Sequence, residues 1–210
     1  MKITLIGSGN MGSGLAKQFT KAGHQVVILS RDREKAQELA NQTGARLLAD
    51  GNGGREAEVI VVATAYADAV DALRQLGDLT GKTVVDITNP LTPDYMGLTL
   101  GHDTSAAEEI AKALPGANLV KAFNTVFAQV LHDGPDFGNG NLVPVFFAGD
   151  NDEAKNAVRN LIESTGFVPV DAGPLKNARY LEPLAGLNIY FGYGAGLGTT
   201  VAPAWIKRAS

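Results

Sequence analysis

Short apolar runs alternate along most of this chain with stretches of polar and apolar residues in which the apolar residues recur every three or four positions. A short apolar run over Lys2–Ile6 is followed by apolar residues spaced three and four apart, and Gln25–Leu29 is a second, β-branched run. The alternation continues as far as Val170 and is typical of a parallel sheet that helices cover on both faces. Strands are predicted over residues 2–6, 25–29, 46–49, 58–63, 82–87, 118–122, 142–148 and 167–170.

Helices are predicted between these strands. Ser105, with Glu108 three residues later, has the spacing of a capping box at the start of one helix. Pro144 and Pro169 indicate that the last two strands lie at sheet edges, because proline cannot donate to a central ladder. The apolar positions predicted to face inward in two of the helices are Ala36, Leu39, Ala40, Ala154, Val158, Leu161 and Ile162.

The first strand runs directly into G-x-G-x-x-G over residues 7–12, and a helix follows. In this context the first glycine permits a tight turn, the second lets the backbone approach a pyrophosphate, and the third lets helix and strand pack closely. The helix N-terminus offers unpaired N–H groups to that pyrophosphate. The alternative is an ordinary glycine-rich turn. The residues predicted to bind the pyrophosphate are Gly7, Ser8, Gly9, Asn10, Met11 and Gly12.

The residues after the second strand indicate which dinucleotide binds. An NAD site has an acidic side chain there for the ribose 2′-OH, whereas this chain has Ser30 and Arg31. A hydroxyl and a guanidinium suit a 2′-phosphate, and Lys35 adds positive charge nearby. NADP(H) is therefore the predicted cofactor. Asp32 keeps NAD(H) open, as does the alternative that residues 31–35 are only a solvated helix start.

The carboxyl ends of two later strands are expected to lie near the cofactor, because ligands of open α/β sheets bind beyond those ends. Thr64, Ala65 and Tyr66 follow one strand, and Asn89 and Pro90 follow the next. Pro90 holds Asn89 in an extended conformation. Tyr66 is equally compatible with packing at a helix start, and the Asn89 segment with a plain turn.

A further strand ends in Lys121, Phe123 and Asn124. A lysine and an amide at that position can hold a carboxamide or carbonyl oxygen, and a lysine of depressed pKa can serve as a general base. The spacing also permits a solvent-exposed Lys121, a core Phe123 and an Asn124 that caps the next helix. His132, predicted in a loop, is either an acid near the acceptor or simply exposed.

Composition narrows the functional classes. The chain has 210 residues, 45% of them hydrophobic, and a net charge of -4, so no nucleic-acid or membrane partner is expected. It has no cysteine, and its three histidines share no metal-ligand spacing, so neither disulfides nor a metal site are predicted. No G-x-S-x-G supports a hydrolase. A cytoplasmic location is expected.

The pattern predicts an α/β fold of Rossmann type: a doubly wound, mostly parallel sheet with a small, helical and glycine-rich C-terminal extension. We expect an NADP-binding domain over residues 1–172. Residues 173–210 form the extension, in which an apolar helix over 175–190 precedes several glycines. So apolar a tail is expected to cover the acceptor pocket or to contact a second subunit.

Five segments together resemble the NADPH-dependent coenzyme F420 reductases, also called F420-dependent NADP oxidoreductases. They are residues 7–12, 30–31, 86–90, 121–125 and 171–180. The chain is also similar to the reductase domain of six-transmembrane metalloreductases.

The resemblance implies a homodimeric reductase in which NADP(H) and a flat tricyclic acceptor stack face to face. Hydride then passes directly from the nicotinamide to coenzyme F420 or a flavin, and the protein supplies orientation and a dry site. The nicotinamide and acceptor pocket is expected to contain Thr64, Asn89, Pro90, Lys121, Phe123 and Asn124. The alternatives are a non-catalytic NADP(H)-binding redox sensor and, less favoured by the short C-terminal part, a β-hydroxyacid-type dehydrogenase.

Overall fold

Eight strands form a single sheet in the computed structural model, which describes residues 1–48, 53–138, 140–206 and 208. In chain order the strands are β1 (Lys2–Ile6), β2 (Gln25–Leu29), β3 (Arg46–Leu47), β4 (Val59–Val62), β5 (Thr83–Asp86), β6 (Asn118–Ala122), β7 (Pro144–Gly149) and β8 (Val168–Asp171).

Helices connect the strands and pack on both faces of the sheet. The last of them is preceded by a 3₁₀ turn, Leu175–Asn177, and followed by a π-helical turn, Tyr190–Gly194. The helices are α1 (Asn10–Lys21), α2 (Arg33–Thr43), α3 (Gly53–Glu56), α4 (Tyr66–Arg74), α5 (Ala106–Ala113), α6 (Ala128–Asp133), α7 (Asp152–Ser164) and α8 (Ala178–Ile189).

The strand order is β3-β2-β1-β4-β5-β6-β7-β8. All neighbouring pairs are parallel except β6 with β7, so the predicted Rossmann-type, mostly parallel sheet is confirmed. The chain adds strands on one side of β1 as far as β3 and then returns to the other side with β4. Ligands of such sheets bind at this reversal, beyond the carboxyl ends of the strands.

The core lies on both faces of the central strands. All four residues of β4 are buried, as expected for a continuous apolar run in a parallel sheet. The inward-facing residues predicted for α2 and α7 are also buried. Along the described residues, no helix is both long enough and apolar enough to cross a membrane.

Two sequence predictions need correction. Pro144 does not mark an edge strand, since β7 lies between β6 and β8; it is tolerated as the first residue of its strand. Pro169 does lie on the edge strand β8. The strand predicted over 46–49 covers only Arg46–Leu47, since Leu48 lies outside it, and Ala49 is beyond the described residues. The helix α7 begins at Asp152, because Asn151 caps it.

The C-terminal helix α8 is attached to α5 by an ion pair. Arg179 donates two hydrogen bonds to Glu108, at 2.9 Å from Nε and 2.7 Å from the terminal nitrogen. Ser105 caps α5 as predicted, since its hydroxyl accepts from the Glu108 N–H, but the Glu108 carboxylate accepts from the Ser105 hydroxyl in place of the backbone N–H that a full capping box uses. The hydrogen bond from Arg179 is the main reason that the pKa of Glu108 lies below its usual value.

This ion pair should make stability depend on pH. A carboxyl whose pKa is lower in the folded than in the unfolded state stabilises the fold above its unfolded pKa, and the effect is lost as the pH falls through the folded pKa. We therefore expect the unfolding temperature to fall more steeply between about pH 6 and pH 3 for the wild type than for Glu108→Gln. Glu153→Gln, on the exposed face of α7, is the control. Equal slopes for the wild type and Glu108→Gln would contradict the assignment.

Candidate functional site

The glycine turn after β1 is built so that side chains cannot replace its first and third glycines. Gly7 has φ +114°, and a Cβ there would lie 2.5 Å from the carbonyl oxygen of Ala63 at the end of β4. A Cβ on Gly12 would lie 2.3 Å from the Gly7 carbonyl oxygen. At Gly9, which caps α1, the space beyond the Cβ position is open. The turn therefore presents bare backbone at the N-terminus of α1.

Two serines connect this turn to the end of β2. The hydroxyls of Ser8 and Ser30 are 2.8 Å apart, and the Gly7 N–H donates to the Leu29 carbonyl at 2.8 Å. A cavity of about 510 Å³ opens beside them between α1 and α2. It is lined by Ser8, Ser13, Lys17, Lys35, Glu38, Leu39, Gln42, Thr43 and His132.

Arg31 and Asp32 have different environments. The guanidinium of Arg31 is exposed and pairs with Asp68 on α4 at 2.8 Å. The Asp32 carboxylate accepts a hydrogen bond from the Lys35 N–H at 3.0 Å and so caps α2. Asp32 is the residue that left NAD(H) as an alternative cofactor in the sequence. In the structure its carboxylate serves as the N-cap of α2.

Thr64, Ala65 and Tyr66 follow β4 at the same sheet edge. Thr64 donates to the Ala65 carbonyl at 3.0 Å. Tyr66 is the first residue of α4 and packs partly against the core, which agrees with its interpretation as a helix-start residue. Burial is the main cause that raises the pKa of the Tyr66 hydroxyl, followed by nearby carboxylates that include Glu109 and Glu182.

Asn89 and Asn124 form a reciprocal pair across the ends of β5 and β6. Asn89 Nδ2 donates to the Asn124 carbonyl, and Asn124 Nδ2 donates to Asn89 Oδ1, both at 3.0 Å. Asn124 Nδ2 also donates to the Leu181 carbonyl of α8 at 3.0 Å. A flipped amide would set an oxygen against two acceptors, so the orientation of Asn124 is determined by its partners. Asn124 does not cap α6, whose cap position is Phe127.

Three buried polar atoms at this edge have no hydrogen-bond partner within the described residues: Thr88 Oγ1, Asn124 Oδ1 and Thr125 Oγ1. A buried, unpaired polar atom costs about 1–3 kcal/mol. Within the described residues, these three are the buried side-chain atoms that lack a hydrogen-bond partner, and each belongs to a residue that follows β5 or β6. The carboxyl ends of these strands therefore retain unused hydrogen-bonding capacity.

Lys121 lies beneath this edge, fully buried. Its ammonium donates to Asp86 Oδ2 at 2.8 Å and to the Thr88 carbonyl, and it pairs with Glu182 Oε1 at 2.8 Å. Glu182 also accepts from the N–H groups of Ala106 and Ala107 at the start of α5. The ammonium can make three hydrogen bonds and has these three partners. Neither sequence interpretation of Lys121 is therefore right: the amine is neither exposed to solvent nor available in a pocket.

Phe123 takes the core position that one sequence interpretation gave it, whereas His132 differs from its predicted loop position. Phe123 is 1% exposed, and its ring packs edge-on against Phe19 and Phe167, so it belongs to the core and not to a pocket. Its backbone has φ +60°, which turns the chain after β6. His132 is in α6, where Nε2 lies 3.1 Å from the Ser13 hydroxyl.

Sequence reasoning missed the carboxylates that organise these sites. Asp86 ends a buried β-branched strand, and Glu182 lies within an apolar helix. A carboxylate inside an apolar segment needs a buried partner, and that signal was present in the sequence. Asp68 had no such signal, because it is one of several charged residues on an exposed helix face.

The sheet order, the reversal beside β1 and the glycine turn define a Rossmann-type α/β protein of the dinucleotide-binding class. The profile of the family described as "NADP oxidoreductase coenzyme F420-dependent" matches residues 2–90. The chain is 31% identical to the F420-dependent NADP reductase of Methanothermobacter marburgensis, over 90% of this chain and 91% of that protein. It belongs to the coenzyme F420-dependent NADP oxidoreductase family, a family of NADP-dependent oxidoreductases.

Two further comparisons extend this result. A crystal structure of a candidate F420-dependent NADP reductase from Arthrobacter sp. FB24 superimposes with a TM-score of 0.83, at 30% identity over 95% of this chain and 96% of that one. Metalloreductase STEAP3 of Rattus norvegicus is 34% identical over 87% of this chain. The chain spans only about a third (36%) of the length of that metalloreductase.

Proposed function

We propose that this protein transfers hydride between NADPH and a deazaflavin, coenzyme F420, or a flavin-like acceptor. The observation that carries the proposal is the bare glycine turn at the sheet reversal, joined through the Ser8–Ser30 contact to Arg31. Family membership and the named activity of the Methanothermobacter relative support it.

The pyrophosphate is proposed to lie over the glycine turn. The open space at Gly9 lets a phosphate approach the backbone, and the N-terminus of the 12-residue helix α1 offers N–H donors and a positive dipole end. The proposed contacts are Gly7, Ser8, Gly9, Asn10, Met11 and Gly12.

The 2′-phosphate is proposed to bind Ser30, Arg31 and Lys35. Ser8 and Lys35 line the same cavity. The guanidinium of Arg31, which follows β2, is exposed to solvent. A guanidinium binds phosphate in a bidentate geometry, which a ribose 2′-OH cannot match. This charge preference is the reason for proposing NADP(H) over NAD(H).

The nicotinamide is proposed to lie beside Asn89, Pro90 and Asn124, with Thr64, Ala65 and Tyr66 nearby. Asn89 is partly exposed at this edge and is held in place by Asn124, so its amide is proposed to contact the carboxamide. When bound, the nicotinamide supplies the hydride, and the residues around it orient the two rings and exclude water. The buried Lys121 ammonium donates hydrogen bonds to Asp86 and to the Thr88 carbonyl and so fixes the position of the chain just before Asn89.

The C-terminal extension is proposed as the contact between two copies of the chain. Within the described residues it exposes several large apolar side chains, which are costly to leave in water as a continuous surface. Sedimentation equilibrium of the wild type should therefore give a dimer, and a monomer would remove this part of the proposal. The exposed residues are Tyr180, Leu187, Tyr190, Phe191, Tyr193, Leu197, Trp205 and Ile206.

The acceptor can be identified by following NADPH oxidation anaerobically with coenzyme F420, FAD, FMN and a ferric chelate offered in parallel. Turnover with coenzyme F420 alone would support the deazaflavin acceptor, and turnover with a flavin or the chelate would move the assignment to a flavin or ferric reductase. Tight NADPH binding without reduction of any acceptor would favour the redox-sensor alternative.

Arg31→Ala should distinguish the two dinucleotides. Loss of a charged hydrogen bond to the 2′-phosphate is expected to weaken NADPH binding by about 1.5–3 kcal/mol, while NADH binding changes little. Dissociation constants from fluorescence titration would measure both. Arg33→Ala, an equal loss of charge at the exposed start of α2, is the control. Equal losses for NADPH and NADH would show that Arg31 does not bind the phosphate.

A further inference from the structure

The guanidinium of Arg31 is already occupied by a carboxylate of the same chain. Arg31 NH2 lies 2.8 Å from Asp68 Oδ2, and NH1 lies 3.4 Å from Asp68 Oδ1. The two residues are 37 positions apart in the chain. Arg31 follows β2, and Asp68 lies in the first turn of α4, after β4.

The sheet order places this ion pair across the dinucleotide site. β2 and β4 are the two neighbours of β1, and the glycine turn follows β1. Neighbouring strands are about 4.8 Å apart, so a contact between the residues after β2 and β4 spans about 10 Å over the end of β1. The Arg31–Asp68 pair therefore crosses the edge where the adenosine half of a dinucleotide binds in folds of this kind.

The pair is weak enough for a ligand to displace. The Arg31 side chain is 79% exposed and that of Asp68 is 41% exposed, so solvent screens their attraction. Exposed pairs contribute between nothing and about 1 kcal/mol. A phosphate carries more negative charge than a carboxylate and offers more acceptor oxygens. A 2′-phosphate can therefore take over the guanidinium, but it must displace Asp68 and then lie near an unpaired carboxylate.

We propose that Asp68 is a specificity-determining residue, because its carboxylate competes with the 2′-phosphate of NADP(H) for the Arg31 guanidinium. This inference rests on the proposed function. The competition lowers the affinity for both NADPH and NADP+, and it speeds the release of whichever is the product. NADH has no 2′-phosphate, so its affinity does not depend on freeing Arg31.

Asp68→Asn tests the proposal, because it removes the charge while preserving the shape of the side chain. The dissociation constants of NADPH and NADP+ should fall by about three- to ten-fold, and that of NADH by less than about two-fold. Asp71→Asn is the matched control. Asp71 lies on the same helix and pairs with Arg74 at 3.7 Å, so the change in net charge is the same and the Arg31 contact is kept.

The double variant Arg31→Ala/Asp68→Asn separates competition for Arg31 from a general charge effect. If Asp68 acts through Arg31, Asp68→Asn will improve NADPH binding in the wild type and much less in the Arg31→Ala background. Weaker NADPH binding by Asp68→Asn, or equal improvement for NADPH and NADH, would overturn the inference. A wild type that binds no NADPH would instead refute the proposed function.

Discussion

Replacement of Lys121 by methionine is expected to lower the free energy of unfolding by about 3–5 kcal/mol. The substitution removes the ammonium that pairs with both Asp86 and Glu182 and leaves two carboxylates in the interior without that charge. An uncompensated buried charge costs far more than an exposed one, because the low-dielectric interior cannot solvate it. Urea unfolding followed by circular dichroism would measure the change.

Lys112→Met is the matched control, since Lys112 pairs with Glu109 at 2.7 Å on the protein surface. Its loss should leave the free energy of unfolding nearly unchanged, because solvent screens an exposed pair. A loss of less than about 1 kcal/mol for Lys121→Met as well would contradict the buried cluster. If Lys121→Met is insoluble, Glu182→Gln provides a milder change at the same cluster and should also destabilise the protein more than Lys112→Met does.

Replacement of Gly9 by alanine is expected to weaken NADPH binding by about 100-fold and to lower the free energy of unfolding by no more than about 1 kcal/mol, the usual cost of alanine at a helix N-cap. Gly9 caps α1 with φ -73° and ψ -173°, a conformation that alanine adopts, and no protein atom lies within 4 Å of the Cβ position. The added methyl group therefore meets only the space proposed for the pyrophosphate. Isothermal titration with NADPH and a thermal melt of the same sample would test both statements.

Gly12→Ala should give the opposite pattern of effects. Its Cβ would approach the Gly7 carbonyl oxygen to 2.3 Å, so the variant is expected to lose stability even without ligand. Normal NADPH affinity in Gly9→Ala would show that the pyrophosphate does not approach the backbone at this turn. The two variants together separate the glycine needed for packing from the glycine needed for the cofactor.

Much of the site's location could be predicted from the sequence. The glycine turn, the pair Ser30 and Arg31, and the segment Asn89–Pro90 each follow a strand with a clear apolar pattern, and parallel strands bring their carboxyl ends to one edge. Local signals were equally informative at Ser105, which caps α5 as predicted, although the Glu108 carboxylate accepts from the Ser105 hydroxyl and from Arg179.

The environment of a single polar side chain was harder to predict. The local sequence around Lys121 allows an exposed amine or a pocket residue, and the buried position between Asp86 and Glu182 depends on α8, about 60 residues later. Phe123 faces the core because the backbone turns at φ +60° after β6. Pro144 is compatible with an inner strand because it stands at the strand's first residue.

By itself, the sequence determined the order of strands and helices and the glycine turn, because each depends on residues that are close together in the chain. The parallel sheet could also be predicted, because a regular alternation of strands and helices is typical of it. The tertiary structure alone decided that Lys121 is a buried ion-pair partner, that Asn124 retains a free carbonyl oxygen, and that Asp68 holds Arg31. These contacts join residues 35 to 61 positions apart, and their partners become neighbours only when the sheet brings the ends of separate strands together.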